Sequence, residues 1–160
     1  MLSSPTLLNV DCQLDAFACG IESLDDWLKR RAYPNQINGA SRTYVVTEEK
    51  KVVGYYCLAS GALALNDTLS PIRRNMPDPV PMAILGRLAV DKSSQDKGIG
   101  VALLQDAVIR TAQAASILGI RGLLVHALSM EAKAFYEYHG FVASATQPLT
   151  LILSLKRMPL

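Results

Sequence analysis

At 160 residues the chain is long enough for one domain with a sizeable core, and residues 1–160 are expected to form a single domain. Half of the residues are hydrophobic, but charged side chains interrupt them too often for the roughly 18 to 20 apolar residues of a membrane span, and no basic region leads into an apolar stretch near the N-terminus, so a cytoplasmic location without membrane association is expected. The net charge of +2 is clumped as Lys29-Arg30-Arg31, Arg73-Arg74 and Lys156-Arg157, so an anionic partner would meet local patches rather than a uniformly positive protein.

Thr6 to Val10 is a short apolar run that reads as a first strand. A helix is expected from Ser23, with Leu24, Trp27, Leu28 and Ala32 on one face, Asp25 and Asp26 in the first turn and the basic cluster near its end. Pro34 should break or end it, and a second short helical piece is expected before Gly39. Thr43 to Thr47 and Val52 to Leu58 are β-rich runs joined by Glu48-Glu49-Lys50-Lys51, a hairpin with a solvated tip whose second strand extends as far as Leu65. Pro71, Pro77, Pro79 and Pro81 then punctuate a surface excursion that carries Arg73-Arg74. Cys12, Cys19 and Cys57 lack close pairs or neighbouring histidines, so they read as buried small side chains rather than a disulfide framework, and no metal site is expected.

The chain is organised around residues 82 to 118. Met82 to Val90 is an apolar strand, Asp91 to Lys97 a loop, and a helix opens at Gly98 with Val101, Leu104, Val108, Ala112 and Ala115 at spacings of three and four, the mark of one buried face. A helix N-terminus presents unpaired N–H groups and the positive end of its dipole, and glycines let that backbone close on a phosphate. Gly122 to Ala127 is a further strand, Glu131 to His139 a helix and Thr150 to Leu155 a last strand. An early hairpin followed by strand-helix-strand connections implies a mixed sheet with helices packed on it, an α/β (α+β) class.

The loop Gln95-Asp96-Lys97-Gly98-Ile99-Gly100 is neither a dinucleotide fingerprint nor a Walker loop. It resembles the Gln/Arg-x-x-Gly-x-Gly/Ala motif with which GNAT acetyltransferases grip the pyrophosphate of acetyl coenzyme A. Ala134-Phe135-Tyr136-Glu137-Tyr138-His139-Gly140-Phe141 similarly resembles the A-x-x-F-Y-x-x-x-G-F signature of the last GNAT helix. The resemblance implies the GNAT fold, acetyl-CoA as cofactor, and Tyr136 as general acid near the sulfur. A phenol with an ordinary pKa near 10 is protonated at pH 7 and can protonate or hydrogen-bond a departing thiolate of pKa about 8.5. Tyr138 points some 200 degrees away on the same helix and is read as structural. His126, in an apolar strand, reads as a satisfied core residue, and His139 as a C-terminal cap.

Met82 to Val90 contains no carboxylate to deprotonate a lysine amine of pKa about 10.4, whereas an α-amine, near 7.7 to 8.0, needs little help from a base. Further blocks sharpen the resemblance: Phe17-Ala18-Cys19-Gly20, Leu24-Asp25-Asp26-Trp27-Leu28, Asn35-Gln36, Ser41-Arg42-Thr43, Gly54-Tyr55-Tyr56, Pro77-Asp78-Pro79-Val80-Pro81 and Leu85-Gly86-Arg87-Leu88-Ala89-Val90-Asp91 look like the GNAT toxins of bacterial toxin-antitoxin modules. That resemblance implies acetyl transfer to the α-amine of aminoacyl-tRNA, which blocks translation, neutralisation by a ribbon-helix-helix antitoxin, and contact with operator DNA through the antitoxin complex alone. Carried over by position, Gln95, Asp96, Lys97, Gly98, Ile99 and Gly100 would bind the pyrophosphate. Leu88, Ala89 and Val90 would line the pantetheine arm, Leu88 and Val90 pairing with it through their backbones, and Phe135 would complete the cofactor site. Arg42, Arg73, Arg74 and Arg87 are the candidates for tRNA phosphates, and a homodimer is expected because dimers are the commonest oligomers. Two other readings stay open: a GNAT enzyme acting on a small amine or a protein N-terminus, and a non-catalytic partner that binds acetyl-CoA or assists a repressor.

Overall fold

The computed structural model describes residues 1–155, so the Lys156-Arg157 cluster lies outside the described residues. Its strands are β1 (Thr6–Leu7), β2 (Arg42–Glu48), β3 (Lys51–Leu63), β4 (Val80–Val90), β5 (Gly122–His126), β6 (Val142–Ala143) and β7 (Thr150–Ser154). The helices are α1 (Glu22–Arg30), α2 (Ala32–Ile37), α3 (Ser70–Arg73), α4 (Ile99–Ala115) and α5 (Met130–Tyr138). The strands form one mixed sheet in the order β1-β2-β3-β4-β5-β7-β6: β4 and β5 run parallel, while the pairs β1-β2, β2-β3, β5-β7 and β6-β7 are antiparallel. No helix among the described residues is long and apolar enough to cross a membrane.

Two compact units are built on this order. The first comprises Met1–Ala59 and Gly86–Val108. Its hairpin turns through Glu49 and Lys50 alone, both at positive φ, because the strands run on into Glu48 and Lys51; this is the left-handed pair that matches the twist of two paired strands. The first strand is shorter than expected, two residues rather than five. The first helix starts at Glu22 and breaks at Arg31, ahead of Pro34 rather than at it. Pro34 sits in the first turn of α2, where a missing N–H costs no helical hydrogen bond. Leu24, Leu28 and Ala32 still face one core, with Phe17, Val45, Val52, Tyr55 and Ala89. Cys57 is buried, whereas Cys12 and Cys19 are only half-buried, and all three are free thiols.

The buried stripe of α4 differs from the expected one. Ile99, Leu103, Leu104, Ala107 and Thr111 are buried, Val101, Val108 and Ala115 are half-buried, and Ala112 is exposed. The helix is turned so that Ile99 and Leu103 press on Gly54 of β3, where a Cβ would come within 2.9 Å of Ile99. Gly54 has no side chain because the helix occupies that space.

The second unit comprises Ser60–Leu85 and the residues from Ile109 onward. After β3 the chain makes a single 3-10 turn, Leu65–Asp67, then α3, and the proline segment returns it to β4. Leu63, Ile72, Val80, Met82, Leu124 and Ile152 form this unit's core. Ser129 caps α5, its hydroxyl accepting the Ala132 N–H at 3.1 Å. His139 is the C-cap as expected, and Gly140 follows at φ +96, where glycine avoids the strain of a left-handed turn. The short strand β6, pairing Val142 with Ile152, has no counterpart in the sequence reading. His126 corrects another expectation: its side chain is exposed at the end of β5, not in the core, and its Nδ1 lies 2.9 Å from the Thr150 hydroxyl.

Candidate active site

In the first unit the strand-loop-helix stretch is fixed by backbone-directed side chains. The Asp91 carboxylate accepts the N–H of Ala18 at 2.8 Å and that of Ser93 at 3.0 Å, and Lys92 N–H donates to the Ala18 carbonyl at 2.9 Å. Gln95 Nε2 donates to the carbonyls of Val90 at 3.0 Å and Cys19 at 3.2 Å. Desolvation is the largest influence on Asp91 and pushes its carboxyl up, but hydrogen bonds from the Ser93 side chain, Ala18 N–H and Ser93 N–H outweigh it and hold the carboxyl below its ordinary value.

The loop so tied turns through Asp96 at φ +64 and Gly98 at φ +79 into α4. A Cβ on Gly98 would meet no atom within 4 Å, so the approach to the helix N-terminus is open there. An α-helix leaves its first four N–H groups without intrahelical acceptors, and the 17 residues of α4 align their peptide dipoles behind them. Lys97 is exposed beside this opening in the sequence. Open backbone donors, a glycine at positive φ and a lysine fit a pyrophosphate. The side chain of Gln95 is occupied with carbonyls, so that residue shapes the cradle, and the N–H groups of Gly98, Ile99 and Gly100 are what the loop offers an anion.

Strand β4 shares a register with β5 from Met82↔Gly122 to Leu85↔Val125 and then continues through Gly86–Val90 past the last of those pairs. Leu88 and Val90 are half-buried there and Ala89 is buried. Arg87 is half-buried with its Cζ 4.5 Å from the centroid of the Trp27 ring. The other basic candidates stand elsewhere. Arg42 is exposed at the start of β2 and donates to the Gln36 carbonyl at 3.1 Å. Arg73 and Arg74, in the second unit, are exposed at the end of α3.

Tyr136, also in the second unit, is 6 % exposed, with the rings of Phe135 and Phe141 each 5.4 Å away at steep angles. Burial pushes its phenol up to about 12. Tyr138 is 86 % exposed, so the helix period separates the two tyrosines as expected. Phe135 lies between Tyr136 and His139, whose ring is 4.9 Å from it.

In the sequence Trp27 reads only as part of a packed helix face and of a family-like block, and Asp91 only as part of another such block. An Asp two residues before a Ser at a strand end is a signal for the turn that Asp91 caps. Nothing local could pair Trp27 with an arginine 60 positions later.

The acetyltransferase (GNAT) domain family matches residues 39–143. A protein of Mycobacterium tuberculosis described as a tRNA-acetylating toxin is 47% identical over 154 residues, covering 96% of this chain and 93% of its own length. Among solved structures, AtaT complexed with acetyl-methionyl-tRNAfMet superposes with a TM-score of 0.88 at 30% identity, covering 96% of this chain and 95% of the other. A tyrosine-to-phenylalanine variant of the AtaT toxin, bound to the C-terminus of the antitoxin AtaR and to acetyl-CoA, gives 0.81 at 28% identity over 96% and 93% of the two chains.

Proposed function

The chain belongs to the GNAT acetyltransferase family, and from that premise we propose that it is a toxin that acetylates the α-amine of aminoacyl-tRNA and so blocks translation. The likeness over nearly its whole length to a tRNA-acetylating toxin carries this reading. The make-up of β4 agrees with it: Val80 to Val90 holds no carboxylate, which an α-amine, partly neutral at pH 7, does not require.

Acetyl-CoA supplies an acetyl group already activated as a thioester. The N–H groups of Gly98, Ile99 and Gly100, with Gln95, Asp96 and Lys97 shaping and flanking them, bind the pyrophosphate. Leu88, Ala89 and Val90 line the pantetheine arm, the backbones of Leu88 and Val90 pairing with it, and Phe135 packs beside it. Tyr136 donates its hydroxyl proton toward the sulfur as the amine attacks. With the phenol at about 12, complete transfer to a thiolate of ordinary pKa near 8.5 is uphill. Tyr136 therefore stabilises the departing sulfur chiefly by hydrogen-bond donation, and a proton that it passes on is returned as the amine gives up its own.

Arg42, Arg73, Arg74 and Arg87 bind tRNA phosphates. The toxin acts in the cytoplasm as a homodimer, is neutralised by a ribbon-helix-helix antitoxin, and meets operator DNA only through the antitoxin complex. The test is acetyl transfer from labelled acetyl-CoA to aminoacylated and to deacylated tRNA. Label on the aminoacylated species alone is the expected result. Label on both, or on neither while a free amine or protein N-terminus is acetylated, overturns the reading.

A further inference from the structure

Arg87 is carried at the end of an aromatic column. Its Cζ lies 4.5 Å from the Trp27 ring centroid. Trp27 stacks in turn on Tyr55, with centroids 6.0 Å apart and planes inclined by 8°. Tyr55 is fully buried, and its hydroxyl donates to the Leu24 carbonyl at 2.6 Å while Phe17 meets its ring edge-on at 5.5 Å. The base of the column is thus fixed in the core, and its half-buried end carries a cation. Successive residues of a strand face opposite ways, so Arg87 shares a face with Ala89, which belongs to the same core as Leu24, Leu28 and Tyr55.

We infer that Trp27 is a positioning residue, which holds the Arg87 guanidinium over its ring to receive a phosphate of the aminoacyl-tRNA. This rests on the tRNA-acetylating reading above. Among the described residues no carboxylate pairs with Arg87, so its positive charge is not cancelled before a polyanion arrives. An indole face attracts a cation through its quadrupole, and beyond the hydrogen bond that the Arg87 side chain makes to the buried Cys57 thiol it leaves the other guanidinium N–H groups available to oxygen acceptors. An unrestrained arginine would also lose the rotamer freedom of a long side chain on binding, whereas one already held has less to lose.

The test is a double-mutant cycle on Trp27→Leu and Arg87→Ala, read as KM and kcat for aminoacyl-tRNA and as tRNA affinity against salt. Trp27→Leu should weaken tRNA binding and raise KM about threefold to tenfold, with kcat and the KM for acetyl-CoA unchanged. Trp27→Phe, which keeps an aromatic face, should recover most of the loss. In the Arg87→Ala background neither Trp27 change should have further effect. An undiminished effect in that background, or wild-type tRNA affinity and KM in Trp27→Leu, overturns the inference. Trp27→Phe run through the same cycle decides it if the leucine variant fails to fold. If the wild type acetylates no aminoacyl-tRNA, the functional reading falls, and the cycle on tRNA affinity still judges the pairing.

Discussion

The Asp91 carboxylate accepts the Ala18 N–H at 2.8 Å across 73 positions of sequence and thereby joins the segment before α1 to the loop that opens α4. Asp91→Asn should loosen that loop and weaken acetyl-CoA binding severalfold without a change in kcat. The carboxyl is depressed in the folded protein, so its contribution to stability is complete above the ordinary value of 3.8 and is lost as pH falls through the folded value. The melting temperatures of wild type and Asp91→Asn should therefore differ at neutral pH and converge below about pH 4. A difference that grows on acidification contradicts the assignment.

Gly98 tests the cradle by bulk. A side chain at φ +79 costs roughly 1–2 kcal/mol in backbone strain, and a Cβ there meets no protein atom within 4 Å, so added bulk is expected to act on a bound ligand rather than on the packing. Gly98→Ala should lower stability by about that amount, and Gly98→Val should in addition abolish acetyl-CoA binding in calorimetry. A folded valine variant with unchanged affinity removes the loop from the site.

Arg73 and Arg74 are exposed at the end of α3 and should act on affinity rather than chemistry. Phosphate contacts release counterions, so replacing both by alanine should weaken tRNA binding and reduce the steepness of its salt dependence by roughly one to two in log–log slope. Weaker binding with an unchanged slope would place them off the phosphates.

The strand, the glycine loop and the following helix were legible because hydrophobic periodicity and glycine chemistry are local. The buried face of α4 was not. Ala107 and Thr111, which give little apolar signal, are buried, while Ala112, counted on the stripe, is exposed. The break at Arg31 carries no glycine or proline, and Pro34 suggested a later one, although a helix accepts proline in its first turn. His126 looked like core because its strand is apolar, yet it stands at the strand's exposed end. The Tyr136 motif could be read from sequence, but its aromatic surroundings depend on Phe141, which reaches the ring only after the chain has turned back at Gly140.

In the proposed mechanism Tyr136 carries the chemistry, and its hydroxyl can be removed while its ring stays packed against Phe135 and Phe141. The most direct measurement is single-turnover acetylation of aminoacyl-tRNA by Tyr136→Phe and Tyr138→Phe side by side, with acetyl-CoA affinity measured for both. Tyr136→Phe should keep fold and cofactor affinity and lose about 10² to 10⁴-fold in rate, and Tyr138→Phe should match the wild type. A Tyr136→Phe enzyme of wild-type rate, or a crippled Tyr138→Phe, would contradict the assignment of the acid.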